Sequence, residues 1–461
     1  MADDLGRRAT HHAVVIGGSL AGLLAARVLA EHAEKVTVVE RDRYPEGPDA
    51  RPGVPQGRHI HVLIPGGQQA LDELLPGFME ELEELGAPKV GVPADMVQWQ
   101  NGKWYRRSSA TAHFSTGARP QLEWLVRRRV LADPRIDVVE GTETVGLTGD
   151  SSRVRGVRLR ERGAAKEVRT LEADLVVDAS GRSTKAADWL AGIGAEAPHE
   201  ETLDTGLAYS TRVYRAPAED PRTDALGYNI VPNPAQVYGG VVLPLGDGRH
   251  LVTLSGLRGD EPPTEEGAFE EYAKRLPHPV VAEWLSRAEP DSPVYGFRGT
   301  ANVRRRYDRP GRRPAGFLAT GDALCAFNPI YGQGMAVAAL SAVALRAALA
   351  DPRRTPTTRG VQQALFDASK QAWDISAGAD KKMPGATGDA VRPGPMDKVA
   401  GWYLGRVAER APGDPLVGTP FRAALTLAAP LTALFAPAVV RAVLFGPVAG
   451  TPAEPPLRRE A

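Results

Sequence analysis

The stretch Ala13-Val-Val-Ile-Gly-Gly-Ser-Leu-Ala-Gly22 limits what this chain can become more than any other. A short apolar run enters a glycine turn, and Leu23, Leu24, Ala25, Ala26, Val28 and Leu29 continue it as an apolar helix. A β-favouring run, Lys35-Val-Thr-Val-Val-Glu40, follows. Strand, turn, helix and strand within about 30 residues form the opening unit of a parallel α/β sheet. Gly17 and Gly22 fit the outer glycines of the G-x-G-x-x-G template, Gly18 lies beside the first, and Ser19 stands at the middle position. Gly17 permits a tight turn, Gly22 lets helix press on strand, and a small residue at 19 leaves the backbone open to an anion. The N–H groups and positive dipole end of the helix suit a pyrophosphate there. Glu40, 18 positions past Gly22, closes the second strand where a carboxylate accepts from ribose hydroxyls, with Arg41 beside it. A glycine turn without a ligand is the plain alternative. The ordered context of strand, helix, strand and acid favours dinucleotide binding.

Lysine and arginine total 56 and aspartate and glutamate total 56. With no basic excess, a nucleic-acid partner is not expected. One cysteine rules out a disulfide framework and a thiolate metal site, and fits a reducing, cytoplasmic setting. Asp3, Asp4, Arg7 and Arg8 precede the first apolar run, so no secretory signal is expected. Residues 423–440 form an uncharged run of 18, interrupted by Pro430 and Pro437. Short packed or surface-lying helices are predicted there rather than a transmembrane span, with peripheral membrane contact left open.

Further strands are predicted at 136–140, 154–160 and 175–177. From 205 to 258 apolar and polar residues alternate, and Asp247-Gly248 sits at a hairpin turn. A β-rich insert therefore separates two parts of a nucleotide-binding domain. A strand at 316–320, the turn Gly321-Asp322 and an alanine-rich helix to residue 350 restore the first pattern. Beyond residue 351 the chain reads as helices with loops. Residues 386–395 suggest an exposed loop, and 451–461 a poorly ordered tail.

The second chemical signal is Gly316-Phe-Leu-Ala-Thr-Gly-Asp-Ala-Leu-Cys-Ala-Phe-Asn-Pro-Ile-Tyr-Gly-Gln-Gly-Met335. Asp322 at a strand end can hold a sugar or ribityl hydroxyl. Gly332, Gln333, Gly334 and Met335 offer backbone N–H groups at a helix start, which stabilise negative charge nearby.

These motifs resemble the flavin-dependent monooxygenases of the p-hydroxybenzoate hydroxylase fold, over about residues 13–350. The resemblance implies that the first motif binds the FAD pyrophosphate, and that Asp322, with Pro329, Gly332, Gly334 and Met335, holds the ribityl and flavin end. Asp178-Ala-Ser-Gly181-Arg-Ser183 is similar to the family's middle Asp-Gly motif, departing from it by Ser180. Arg119, heading a helix, matches the family's arginine near the FAD phosphates. The segment Asp49-Ala-Arg-Pro-Gly-Val-Pro-Gln-Gly-Arg-His-Ile-His61 and residues 327–335 look like the olefin epoxidases of polyether-antibiotic assembly. That likeness implies that Arg58 and His61 contact the cofactor. His59 and His61, at strand spacing, equally suit hydrogen-bonded packing.

The expected fold is α/β: a Rossmann-like FAD-binding domain, an inserted β-sheet substrate domain and a C-terminal helical region. Residues 11–75, 115–190 and 300–350 are assigned to the first, 76–114 and 191–299 to the second, and 351–461 to the third. The implied reaction inserts one oxygen atom from O2 through a C4a-hydroperoxyflavin. NADPH, NADH or a separate flavin reductase supplies electrons, and the substrate is a hydrophobic olefin of polyketide or terpenoid secondary metabolism. Aromatic hydroxylation, prenyl reduction and non-catalytic flavin binding are the alternatives. A halogenase fits less well, because the Trp-x-Trp-x-Ile-Pro motif of that class is missing. No metal site is expected. Cys325 reads as a small buried residue, and Arg304–Arg306 and Arg127–Arg129 as solvated faces. Trp99, Trp104 and Tyr105 suit a substrate wall or core packing. His113, His199, His250 and His278 stand in no recognisable acid–base pairing.

Overall fold

The computed structural model describes residues 10–163, 167–216, 221–351, 353, 355–391 and 397–459. The first nine residues, residues 392–395 of the glycine- and proline-rich stretch and the last two residues lie outside them. The predicted fingerprint strand, Thr10–Ile16, is the centre of a five-stranded parallel sheet. Ala33–Val39 pairs on one side of it and Leu175–Asp178 on the other. Ile136–Val139 and Phe317–Ala319 form the two edges. Such strands are apolar throughout because helices cover both faces, and Ala13, Val14 and Val15 are fully buried. Since all five strands run one way, the turns after Ile16, Val39, Asp178 and Ala319 gather at one end of the sheet. The two sequence signals, far apart in the chain, therefore meet.

The edge strand Phe317–Ala319 is not left open. Helix Thr358–Asp380 crosses it, and Gln362 both accepts from Ala319 N (2.8 Å) and donates to Ala319 O (3.1 Å), as a neighbouring strand would. Thr358 Oγ1 accepts from Gly316 N one turn earlier.

The alternating region forms an eight-stranded sheet built mainly from Ala208–Arg215, Arg249–Gly256, Gly239–Gly246, Gly227–Ile230 and Met96–Gln100. The predicted hairpin turn is present. Asp247 and Gly248 take φ of +52° and +71°, the pair of positive values a two-residue turn matched to strand twist requires. One face of the sheet packs under helices Ala268–Tyr272 and Val280–Leu285, around Val97, Trp104, Tyr214, Val252 and Phe269.

In the C-terminal part the apolar run breaks where its prolines stand. Helix Pro415–Leu425 ends, a short turn Leu431–Phe435 follows Pro430, and Pro437 opens helix Pro437–Phe445. Among the described residues no helix is long and apolar enough to cross a membrane. The described part of the 386–395 loop is exposed at Thr387–Asp389, as expected, and tethered: Thr387 bridges to Asp204, and Asp389 accepts from Thr202 N. The expectation for the tail is corrected: it is docked. The fully buried Arg107 donates to the carbonyls of Pro456 and Leu457 while pairing with Asp224 at 2.6 Å, and Leu457 packs on the large sheet. Prolines deprived this segment of a repeating pattern, but its backbone carbonyls take up one end of a buried guanidinium.

Candidate active site

The first turn is closed so tightly that side chains have no room. A Cβ on Gly22 would lie 1.8 Å from Gly17 O, and one on Gly18 would lie 1.9 Å from Tyr44 Oη. Gly17 takes φ +97° against Ala179 O. Glu40 is buried here, accepting from Gly18 N (2.8 Å) and Asp42 N (2.9 Å) and pairing with Arg51 at 3.1 Å. Arg51 also meets Asp42 (3.2 Å) and Glu123 (3.6 Å). Helix Arg119–Val130 brings Arg119 and Glu123 to the same place, one turn apart. Glu123 accepts from Ser19 Oγ at 2.6 Å and from Arg119. Burial alone would raise the Glu123 pKa, but Arg119 and Arg51 outweigh it and hold the carboxyl below its usual range. Arg119 and Arg51 thus stand at the start of the fingerprint helix. Arg51, Tyr44 and Glu123 were not singled out. Arg51 lies inside the segment that carried the epoxidase likeness, and Glu123 is Arg119 plus one helical turn, which is the signal that could have found them. Arg41 is exposed and reaches Gly53 O at 3.3 Å, and the exposed Arg58 lies over the Tyr295 ring at 5.0 Å.

At the second turn Gly321 packs on the fingerprint helix, its missing Cβ 2.6 Å from that of Ala21. Asp322 is half-buried, and among the described residues its carboxylate makes no hydrogen bond or ion pair. Its backbone is held: Arg305 donates to the carbonyls of Asp322 (3.2 Å) and Ala323 (3.1 Å) while pairing with Glu200. Arg304 pairs with Glu201 and lies over Trp373, so this arginine cluster fastens the turn and is not a solvated face. Arg127, too, is engaged, lying over the Tyr44 ring at 4.7 Å.

The turn Pro329–Tyr331 rests on a buried polar network missed at the sequence level. Asp380, at the end of helix Thr358–Asp380, accepts from Asn302 Nδ2 (2.7 Å), Asn328 Nδ2 (2.9 Å) and Tyr331 Oη (2.6 Å). Burial raises its pKa, opposed by these donors. Gly332 follows at φ +64°, and among the described residues a Cβ on Gly332 or Gly334 would meet nothing within 4 Å. Open space therefore faces the start of helix Gly334–Ala350, whose first N–H groups have no helical partner. Buried Gln333 donates to Leu425 O at 3.1 Å, and among the described residues its Oε1 has no partner.

Between the two turns His61, Leu63, Ser115, Arg119, Leu122 and Met335 line a small, half-open cleft. His61 Nδ1 is 2.9 Å from His59 O. A carbonyl only accepts, so Nδ1 carries the proton and Nε2 remains an acceptor. Burial and then Arg119 push the His61 pKa down to about 3. His59 bonds Thr211 Oγ1 at 2.9 Å and lies edge-on to Tyr209 and Phe297, and burial takes it down to about 4. His59 thus pins its loop to the sheet, whereas His61 lines the cleft.

Other expectations resolve as follows. Trp104 is in the sheet core with Trp99 packed against it, so both are packing residues. Cys325 is buried and its thiol is pushed up to about 12. His199 pairs with Asp389 at 3.2 Å on the surface, His278 lies 3.6 Å from Glu454, His250 abuts Trp284, and His113 is exposed. Among the described residues no group of three His, Cys, Asp or Glu is placed to hold a metal ion.

Residues 10–357 match the family model described as FAD binding domain. Protein Rv3254 of Mycobacterium tuberculosis (strain ATCC 25618 / H37Rv) is 35% identical over 353 residues, spanning 73% of either chain. The 6-methylpretetramide 4-monooxygenase of Streptomyces rimosus is 27% identical over 378 residues, 77% of this chain and 78% of its own. A triple variant of the flavin-dependent brominase Bmp2 superposes with a TM-score of 0.63 at 14% identity, over 80% of this chain and 87% of that one, a likeness of fold.

Proposed function

Because the chain belongs to the FAD-binding-domain family of flavin-dependent monooxygenases, we propose that its two glycine turns hold FAD and that it places one oxygen atom from O2 on a π bond of a small organic molecule. The observation that carries this reading is the half-buried carboxylate of Asp322, which no described residue partners, beside the open backbone of Gly332 and Gly334. A buried-side carboxylate without a donor is costly unless a ligand supplies one, and a ribityl hydroxyl does so. Ser19, the fingerprint helix start, Arg51 and Arg119 would hold the pyrophosphate, and Glu40 the ribose. Gly332, Gln333, Gly334 and Met335 would stand beside the ring system, with His61 Nε2 as an acceptor in the cleft.

FAD, when bound, supplies the redox and oxygen-activating chemistry. The chain's part is to orient cofactor and substrate, to keep water out and to stabilise negative charge at the start of helix Gly334–Ala350. NADPH, NADH or a partner reductase supplies electrons, and no second nucleotide fingerprint is present in the sequence.

Epoxidation of an olefin in secondary metabolism is the first reading. His59 and His61, held near 4 and 3, are poor bases for a phenolic proton, whereas an alkene has no proton to lose. Hydroxylation of an aromatic ring is the second, favoured by the relationship to 6-methylpretetramide 4-monooxygenase. The purified protein should release FAD, not FMN, on denaturation. With electron donor and a panel of polyenes and phenols, mass spectra should show a product one oxygen heavier with its alkene consumed. A ring-hydroxylated phenol from the panel would transfer the assignment to hydroxylase, and a colourless protein that takes up no FAD would end both.

A further inference from the structure

Around the glycine turns Glu123 answers Arg51 and Arg119, Glu200 answers Arg305, and Arg182, four residues past the strand Leu175–Asp178, donates to the carbonyls of Ala301 and Phe327. Arg422 is different. It lies on helix Pro415–Leu425, half-buried, and among the described residues it donates only to Thr111 Oγ1 and meets no carboxylate. Burial lowers its pKa, and the neighbouring group that opposes this is the phenol of Tyr105. A partly desolvated guanidinium without an anion is unfavourable, and five donors on one hydroxyl leave most of its fork open.

Its position is fixed by the helix end one turn on. Leu425 O accepts from Gln333 Nε2 (3.1 Å), and Thr426 O accepts from Gly66 N (3.0 Å). Leu427 takes φ +57°, a conformation leucine resists, with its carbonyl against Gly66. This helix is therefore clamped to the second glycine turn while Arg422 reaches back toward Thr111 and Tyr105. Tyr105 N in turn bonds Gln98 O at 2.9 Å, in the large sheet. Across that sheet, register places Gln98, Asn229, Val241, Thr253 and Thr211 in one row on one face. The row ends at His59, through Thr211. Four of its five members carry hydroxyl or amide groups. Buried Thr211 and Thr253 bond each other at 2.7 Å. At the far end Gln98 and Asn229 are half-buried, and these amides suit an oxygenated molecule better than a bare hydrocarbon.

We propose that Arg422 anchors an anionic group of the substrate, a carboxylate or an ionised enol or phenol, and that the Gln98 and Asn229 end of the row receives its oxygenated body. This rests on the monooxygenase reading and narrows its substrate to an acidic, oxygenated one. FAD-loaded protein is titrated calorimetrically in low salt with two matched pairs, benzoate against benzamide and 2-hydroxy-1,4-naphthoquinone against its methyl ether. The charged member of at least one pair should bind tenfold or more tighter, the pair concerned telling carboxylate from enolate. Arg422→Gln should abolish that preference, and Arg422→Lys should restore part of it, with FAD content unchanged in both. No preference in either pair, absence of binding included, or a preference that survives Arg422→Gln, overturns the proposal. Protein that takes up no FAD would instead overturn the reading beneath it.

Discussion

At the scale of single residues, the site depends on a few groups whose partners come from elsewhere. Asp322→Ala removes a carboxylate poised for a charge-assisted hydrogen bond worth ~1.5–3 kcal/mol, so FAD should be held about ten- to a hundredfold more weakly. Fluorescence titration of the apoprotein measures this, and an unchanged dissociation constant would displace Asp322 from the cofactor site. His59 gives a pH signature. Its folded pKa of about 4 lies below the ordinary 6.5. Between those values the unfolded chain binds a proton that the folded chain refuses, so stability is lost as pH falls through that window, by up to about 3 kcal/mol at its foot. His61 adds to the same slope. Urea unfolding at pH 7 and pH 4.5 should show His59→Gln losing less than the parent on acidification, and parallel losses would refute the assignment. These residues were only half legible. His59 and His61 were visible as a pair at strand spacing, but not that one pins a loop while the other lines a cleft.

At the scale of elements, the glycine turns, the fingerprint helix and the Asp247-Gly248 hairpin could be read because each is decided by neighbours in sequence. The network under Pro329–Tyr331 could not. Asn328 and Asp380 are 52 residues apart, and a lone aspartate at the end of an amphipathic helix reads as a solvated residue. Asp380→Leu would leave Asn302, Asn328 and Tyr331 donors buried without acceptors, costing ~3 kcal/mol or more. Tyr331→Phe would leave one acceptor position unused and cost about 1 kcal/mol. Thermal melts with and without added FAD should rank the two in that order, and the gain in melting temperature from FAD should shrink in Asp380→Leu. A melt like the parent's would mean that the turn does not depend on this carboxylate. The Arg304–Arg306 cluster was misread for a related reason. Three arginines in a row look like a surface until Glu200, Glu201 and Trp373 are brought to them.

At the scale of the whole molecule, the α/β class and the inserted sheet followed from pattern, whereas the reach of the C-terminal part did not. Thr111 and Arg422 are 311 residues apart, and no periodicity connects them. A chain ending at Gly450 would strip Arg107 of two carbonyl partners and the sheet of Leu457, a loss of about 2–4 kcal/mol. Its urea midpoint should fall and protease should reach residues 221–228 sooner, while an unchanged midpoint would show that the tail contributes nothing. The family match ends at residue 357, yet Gln362, Asp380 and the carbonyls of Leu425 and Thr426 all bond back into the matched part. For anyone building chimeras, that seam is the wrong place to cut. A graft of a foreign C-terminal half onto residues 10–357 inherits an edge strand, the turn Pro329–Tyr331 and a helix start that each expect one particular partner. A donor half that preserves those bonds while changing the residue at 422 would be an exchangeable cassette for the acceptor molecule's charge.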